Sequence, residues 1–512
     1  MPVHMLRTYP NLTYTLLMLL LATSAMLVFR KKGFADGTVR HPNVIYILAD
    51  DLGYGDLSCL NPQSQIKTPN LDRLAGQGMV FTDAHSGSAV CTPTRYGILT
   101  GRYAFRSRLK KGVLGGYSPM LIERERFTVA DLMKKAGYRT GVIGKWHLGL
   151  DWVKTDPTKT TDPTVYDDWT STENLSIAKG TTGGPNDLGF DYSYVIPASL
   201  DIAPYIYVRN GKPADNAIVD IPGQKEPRGV FWRDGKGSAS FRIPGTLDVF
   251  GQEARQFIID AGKNKSKPFF LYLPLSAPHT PWVPSEKYKN TSNAGLYGDF
   301  VQHTDAVVGQ LMHTLDSLGL ADNTLVIFTS DNGADWKPGD KQAFPAHDAN
   351  YIFKGEKSDI WEGGHHVPFI ARWPAGIEKG TQTAQTICLA DLMATLAAIT
   401  GQKLDRNAGQ DSFSFASLFR APDEAKPVRP SIIHHSVEGM FAIRKGKWKF
   451  IDGKGSGGWS SKGAPTDPAG QLYDLESDPR ETVNLYEKQP ELVKELKALL
   501  EKQKAQGYTR AL

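Results

Sequence analysis

The sequence predicts an α/β fold: a large, mostly parallel sheet flanked by helices, then a small C-terminal α+β unit with an antiparallel sheet and a terminal helix. Three observations carry this prediction. Near-continuous apolar runs, as expected of strands buried on both faces, end abruptly in polar residues. Helical patterns lie between those runs. Past a Pro-containing stretch near Arg420 to Pro430, the pattern changes to exposed alternation and then to an amphipathic helix.

In chain order, the first apolar run is Val44 to Ala49 in HPNVIYILADDLGYGD, and it stops at Asp50-Asp51. FTVADLMKKAGY reads as a helix, with Val129, Leu132 and Met133 on one side and Gly137 as its stop. From 151 to 249 the periodicity weakens and Gly, Pro, Asp and Thr dominate, which predicts a long loop-rich insertion shaping a substrate site. KPFFLYLPLSAPHTP is a second buried strand, ending near His279. FVQHTDAVVGQLMHTLDSLG sets Val301, Val308, Leu311, Leu315 and Leu318 on one helical face, and NTLVIFTSDNG is a third strand ending in Asp331-Asn332-Gly333. Polar chemistry at strand ends suits a parallel sheet, where ligands bind beyond the carboxyl ends. Residues 41–425 are expected to form a catalytic α/β domain. Residues 430–512 are expected to form the small unit, with GMFAIRKGKWKFID as an antiparallel pair and PELVKELKALLEKQKAQG as the last helix.

Ahead of this body, residues 1–35 read as a signal peptide or an N-terminal anchor, with NLTYTLLMLLLATSAMLVF between Arg7 and Arg30-Lys31-Lys32. Cleavage would export the chain to a periplasmic, secreted or lumenal space; an uncleaved segment would hold it at a membrane. These residues carry four basic and no acidic side chains, so their removal takes the formal charge from +5 to +1. Charge therefore gives no argument for a nucleic-acid partner. With 40% apolar and 22% charged residues, the chain is neither disordered nor fibrous. Three cysteines are too few for a disulfide framework, and a Cys59–Cys388 pair stays open.

The chemistry begins at Asp50 and Asp51. In an extended chain adjacent carboxylates diverge; a turn at the strand end lets both bend toward one point, where they repel unless a cation sits between them. With Asp331 and Asn332 they offer four or more hard oxygens, suited to Ca²⁺ or Mg²⁺ and not to zinc. Singly, Asp50-Asp51 reads as a helix N-cap or an acidic loop and Asp331-Asn332 as an ordinary turn. Cys91, in SAVCTPTRYGILTGR, fits neither a hard-oxygen site nor a purely structural role, which would not require the polar Thr-Pro-Thr-Arg that follows.

Here the sequence resembles a known family. CTPTR fits the CxPxR signature of type I, arylsulfatase-like, formylglycine-dependent sulfatases of the alkaline phosphatase superfamily, through Cys91, Pro93 and Arg95. CTPTRYGILTGRY continues the pattern to Tyr103. ADDLGYGD, GKWHLG, SAPHTP, TSDNG, KGEKSDIWEGG and the tail LYDLESDPRETVNL accompany it in order, so the resemblance runs from about Asn43 to Leu485. It implies an alkaline-phosphatase-like sheet and hydrolysis of sulfate monoesters on a sulfated carbohydrate or an aryl sulfate. It further implies that a formylglycine-generating or sulfatase-maturating enzyme oxidises Cys91 to formylglycine, whose hydrate is the nucleophile. One Ca²⁺ would be held by Asp50, Asp51, Asp331, Asn332 and an oxygen of the modified Cys91. Arg95 and Lys145 would lie against nucleophile and sulfate, His147 would hold the second hydroxyl, and His279 with Lys357 would face the leaving oxygen. Lys357, four residues before Trp361, has the family's spacing and Lys354 does not.

These residue types suit the reaction, because positive groups must offset the charge that accumulates as a sulfate ester is attacked. Two rival readings remain: a phosphonate monoester or phosphodiester hydrolase of the same superfamily, and a non-catalytic carbohydrate-binding relative with unmodified Cys91 and no calcium. His347, Asp201 and Tyr205 are further candidates for the pocket, as are Trp and Tyr residues of the insertion for sugar stacking. His303, His434 and His435 have no motif support. EGGHHVP carries His366 where the family usually has an arginine, which puts that arginine's contact in question.

Overall fold

Seven of the eight residues in the Asn43–Asp50 strand are buried, and that run of Val, Ile, Tyr and Leu suits only a strand covered on both faces. In the computed structural model, which describes residues 41–510, this strand is interior to a ten-stranded sheet. The sheet order is Thr381–Thr383, Met79–Phe81, Phe369–Arg372, Thr324–Ser330, Asn43–Asp50, Phe269–Pro278, Arg139–Lys145, Tyr192–Ile196, Val208–Arg209, Lys212–Pro213. The block from Thr324–Ser330 to Tyr192–Ile196 is parallel throughout. Antiparallel pairing flanks it on both sides. All three predicted strands lie side by side in that block, so their polar ends open at the same edge.

Helices Thr246–Gly262 and Gly295–Ser317 pack on one another and on the Phe269–Pro278 strand. Cys91–Thr100, Val129–Lys135 and Leu392–Ile399 form a second group. The predicted Val129 helix starts at a capping box: Asp131 N donates to Thr128 Oγ1 at 3.1 Å, and Thr128 N donates to Asp131 Oδ2 at 3.0 Å. The other predicted helix starts earlier than its apolar stripe, at Gly295.

Within 151–249, where the sequence predicted loops and no strand, short strands occur. Tyr192–Ile196 joins the parallel block beside Arg139–Lys145, and Ile218–Ile221 pairs with Gly235–Ser238 in a separate hairpin. A five-residue strand flanked by Gly and Pro is too short to show a clear period, and the adjoining sheet supplies its hydrogen bonds.

Four antiparallel strands, Ile432–His435, Phe441–Lys445, Trp448–Ile451 and Gln471–Asp474, form the C-terminal sheet. Helix Pro490–Ala505 covers it by burying Val493, Leu496 and Leu500 among Ile432, Ile433, Ile443, Phe450 and Leu472. The edge of this sheet braces the approach to Cys91: His434 Nδ1 bonds Ser86 O at 3.0 Å, and Ser88 Oγ and Ala89 N donate to His435 O, each at 3.1 Å. Cys59, Cys91 and Cys388 are all free thiols, so the open Cys59–Cys388 pairing is not formed. Among the described residues no helix is long and apolar enough to cross a membrane; the expected signal or anchor lies outside them.

Candidate active site

Local backbone geometry explains how adjacent aspartates share one site. Asp50 ends its strand in extended form, whereas Asp51 takes a left-handed φ of 61°, a conformation that Asp tolerates better than bulkier residues. Both carboxylates can then face the same edge. The neighbouring strand end is tied in by Asp331 N to Ala49 O at 3.1 Å and by Asp51 N to Asp331 Oδ1 at 3.3 Å. Gly333 has no alternative here, since a Cβ would lie 1.8 Å from Gly363 O.

Cys91 is the first residue of helix Cys91–Thr100, and Pro93 sits in the first turn, where its missing N–H is harmless. Arg95 follows at i+4, on the same helical face as Cys91. Its guanidinium reaches Asp331 Oδ2 from Nε at 3.1 Å and from Nη2 at 2.7 Å, and Nη2 lies 3.4 Å from Asp50 Oδ1. Nη1 donates to Lys145 O at 2.8 Å. Lys145 in turn bonds Asp50 at 2.9 and 2.7 Å. It is preceded by Gly144, where a Cβ would meet Pro274 O at 1.9 Å, so only glycine lets the two strands approach this closely. Lys357 bonds Asp51 Oδ2 at 2.7 Å. Lys354 is elsewhere, donating to Glu481 O at 3.1 Å.

Three carboxylates therefore meet three cations in a fully buried cage, leaving it near neutral. Burial alone would raise the Asp50 carboxyl, but Lys145, with His279, Arg95 and Lys357, holds it well below the usual range. Asp331 goes the other way: burial and the Asp50 charge push it up to about 6 despite Arg95 and Lys145. Burial would lower Lys357, yet Asp51 and its neighbours keep it raised and charged. Asn332 donates from Nδ2 to Asp51 Oδ1 at 2.7 Å, and its buried Oδ1 has no partner. Crowded carboxylates with an orphaned amide oxygen among them are what a hard divalent cation would satisfy, so these residues fit calcium.

Each of the two histidines has one ring nitrogen tied to a backbone carbonyl. His147 Nε2 bonds Leu114 O at 2.8 Å; a carbonyl only accepts, so the proton is on Nε2 and the buried, unpartnered Nδ1 carries a lone pair. Burial, then Lys145 and Arg95, drives its pKa well below 6.5, so the ring stays neutral. His279 places Nδ1 against Thr280 O at 2.5 Å, so that nitrogen bears a proton, and Nε2 faces Asp51 Oδ2 at 3.5 Å.

Cys91, Asp51, His147, His279 and Lys357 line one cavity of about 620 Å³. Burial raises the Cys91 thiol pKa, with Lys145 and Lys357 lowering it to a lesser degree, so the unmodified side chain is not poised as a thiolate. Asp201 also lines the cavity, and its Oδ1 is unpartnered while Oδ2 accepts from Arg233 at 2.5 Å. Tyr205 does not face this space: its hydroxyl donates to Arg233 O at 2.6 Å and so positions that wall. His347 is likewise committed elsewhere, to Asp56 at 2.9 Å. His366 bonds Glu362 Oε2 and Thr82 O, at 3.0 and 2.9 Å, and stacks on Phe353, outside the cavity lining. His303 pairs with Asp248.

Trp169, whose ring lies under the Arg233 guanidinium, is one of the insertion aromatics offered for sugar stacking, whereas Arg233 and Trp459 are among the cavity residues that went unread. For Trp459 a signal existed, as a lone aromatic inside the Gly- and Ser-rich GKGSGGWSSKG.

The sulfatase family model matches residues 42–402. N-acetylgalactosamine-6-O-sulfatase of Bacteroides thetaiotaomicron is 36% identical over 499 residues, covering 90% of this chain and 92% of that protein. Human arylsulfatase A is 32% identical over 474 residues, covering 87% and 83%. A solved 6S-sulf chain from work on glycosaminoglycan metabolism in B. thetaiotaomicron superposes with a TM-score of 0.78 at 34% identity, covering 91% of this chain and 100% of that one. On sequence, fold and cavity together, the chain belongs to the sulfatases, the sulfuric ester hydrolases built on the alkaline-phosphatase-like sheet.

Proposed function

We propose that this sulfatase removes sulfate from a sulfated carbohydrate through formylglycine made from Cys91, with calcium in the Asp50–Asp51–Asp331–Asn332 cage. The observation that carries the reading is Cys91 at a helix start, in a cavity shared with His147, His279 and Lys357 and floored by that cage. The cage is close to neutral without an ion, so a divalent cation would give it the positive charge that a sulfate ester requires. Calcium would supply charge stabilisation at the nucleophile and the sulfate oxygens.

The chain's own groups divide the remaining work. Arg95 and Lys145 neutralise the floor and hold the sulfate. His147, neutral with a free Nδ1 lone pair, is the base for the second hydroxyl of the aldehyde hydrate that formylglycine supplies. His279, with Lys357 beside it, delivers a proton to the departing alcohol. Asp201 Oδ1 takes a hydrogen bond from a sugar hydroxyl, supported by Arg233. The B. thetaiotaomicron relative's name makes 6-O-sulfated N-acetylgalactosamine the first sugar to assay. The apolar N-terminal segment supports an exported enzyme, and CTPTR supports processing by a formylglycine-generating or sulfatase-maturating enzyme.

The test is paired kinetics on matched 4-nitrophenyl sulfate and phosphate esters, with release of inorganic sulfate from 6-O-sulfated N-acetylgalactosamine. Preference for the sulfate ester and turnover of the sugar are expected. Preference for the phosphate or phosphonate ester would favour the superfamily alternative, and no turnover of any ester would favour a binding protein.

A further inference from the structure

We propose that Trp459, carried by the C-terminal unit, is the stacking platform for a sugar ring at the cavity mouth and so a specificity-determining residue. The proposal rests on the sulfated-carbohydrate reading above.

Trp459 lines the same cavity as Cys91 and His279, yet half of its surface is exposed. Among the described residues, the other exposed large hydrophobics are Val219 and Val483, neither of which lines the cavity. An isolated exposed aromatic ordinarily needs no explanation, but one fixed at the entrance to an ionic site does.

The ring is fixed from beneath. Trp459 N donates to Ser358 Oγ at 3.0 Å, Ser460 N donates to Asp359 Oδ1 at 3.3 Å, and Ser460 Oγ bonds Asp359 Oδ2. Gly458 packs so tightly on this segment that a Cβ would lie 2.5 Å from Ser358 O. The Trp459 loop is thus clamped to the two residues that directly follow Lys357. Lys337 Nζ lies 4.6 Å and Lys357 Nζ 5.8 Å from the ring centroid. Lys337 is itself tethered to Asp335 and Glu356, at 2.7 and 3.0 Å.

A pyranose presents polar hydroxyls at its edge and C–H groups on its faces. The cavity floor answers the sulfate and the Asp201–Arg233 wall answers hydroxyls, while the wall's own rings, Trp169 and Phe231, already carry the Arg233 guanidinium at 4.9 and 5.0 Å. Trp459 adds an exposed flat face at the mouth, and a ring on a clamped loop loses little freedom when sugar binds.

The experiment compares the wild type with Trp459→Ala and Trp459→Phe, measuring kcat and KM for a disaccharide containing 6-O-sulfated N-acetylgalactosamine and for 4-nitrophenyl sulfate. The ratio of kcat/KM on saccharide to kcat/KM on aryl sulfate should fall about tenfold in the alanine variant, through KM, as for loss of a buried aromatic anchor. The phenylalanine variant should recover most of it. Thermal melts check that each variant is folded. An unmoved ratio, including an equal loss on both substrates, overturns the platform while leaving the carbohydrate reading intact. A wild-type enzyme that turns over only the aryl sulfate overturns both.

Discussion

Among the described residues, two buried clusters of ionisable side chains invite comparison, and of these the first lines the cavity that holds Cys91. The first is the cage of Asp50, Asp51 and Asp331 with Arg95, Lys145, Lys357 and His279. The second gathers His85, His365 and His434 with Glu362 and Lys449. Both bring metal-binding residue types together and both are largely buried. They differ in which atom is left unsatisfied and in how the rings lie, since the histidine cluster also holds a buried unpartnered nitrogen, His434 Nε2. In the second cluster His85 pairs with Asp83 at 2.8 Å, His434 with Ser86 O, and Lys449 bridges Glu362 and Glu481, each at 2.9 Å. The His365 and His434 rings stack at 3.7 Å with 10° between their planes. An imidazole ligates in its own plane, so two stacked parallel rings cannot share an ion. The cage instead leaves a hard acceptor, Asn332 Oδ1, unmatched beside crowded carboxylates. The stacked histidines thus suit a brace beside the approach to Cys91, and the oxygen cage is the cluster whose unmatched atom suits a hard cation.

The comparison can be broken at several points. Cys91→Ala should lower sulfate release by on the order of 10⁴-fold or more, as for removal of a nucleophile that acts as part of a unit. Full turnover by this variant would remove the cage from the chemistry. His279→Ala should cost about 10²–10⁴-fold on a sugar sulfate, whose alkoxide leaves poorly, and less on 4-nitrophenyl sulfate. Equal losses on both esters would exclude it as the general acid.

Lys449→Met probes the brace. It leaves Glu362 and Glu481 buried without their cation and should destabilise the fold by about 3–5 kcal/mol in urea unfolding. Calcium at 100 times its Kd should stabilise the wild type by about 2.7 kcal/mol, an effect lost in Asn332→Ala and kept in His434→Phe. The reverse pattern would move the ion to the histidines.

Acid sensitivity should come mainly from the brace. Burial holds His85 and His435 at about 4 and lowers His365 and His434 well below 6.5. For such groups the unfolded chain binds protons first, so their stabilisation is complete above about pH 6.5 and is lost as pH falls toward 4. His85 and His435 each account for roughly 3 kcal/mol across that range. Asp305, Asp331 and Glu481, raised to about 6, act oppositely, stabilising below about pH 4 and losing that contribution as pH rises through 6, and the raised Asp56, Glu356 and Asp391 act in the same sense. Because the histidines begin to lose stabilisation at about pH 6.5, above the pH at which these carboxyls recover theirs, urea midpoints should fall on going from pH 7 to pH 5. A rise over that interval would contradict this balance.

The cavity floor was legible in the sequence because its residues sit in short segments with fixed local geometry. Asp50-Asp51 and Asp331-Asn332 end strands whose apolar runs are unmistakable, and Cys91 and Arg95 are one helical turn apart. The rim was legible only in part, through Asp201 and the insertion aromatics. Asp201 and Arg233 meet across 32 residues of irregular chain, and Trp459 reaches the cavity only because the C-terminal sheet docks beside the Lys357 segment. The Tyr192–Ile196 strand was hidden for a similar reason, since its partner strand and not its own pattern defines it. The left-handed turn at Asp51 had to exist for the paired carboxylates to converge, but only the coordinates assign it.

The most direct test of the central claim is the mass of the peptide carrying Cys91, taken from enzyme that is actively releasing sulfate. The account predicts a peptide lightened by the exchange of a thiol for an aldehyde, in an amount that tracks specific activity across preparations. An unmodified cysteine in fully active enzyme would contradict it.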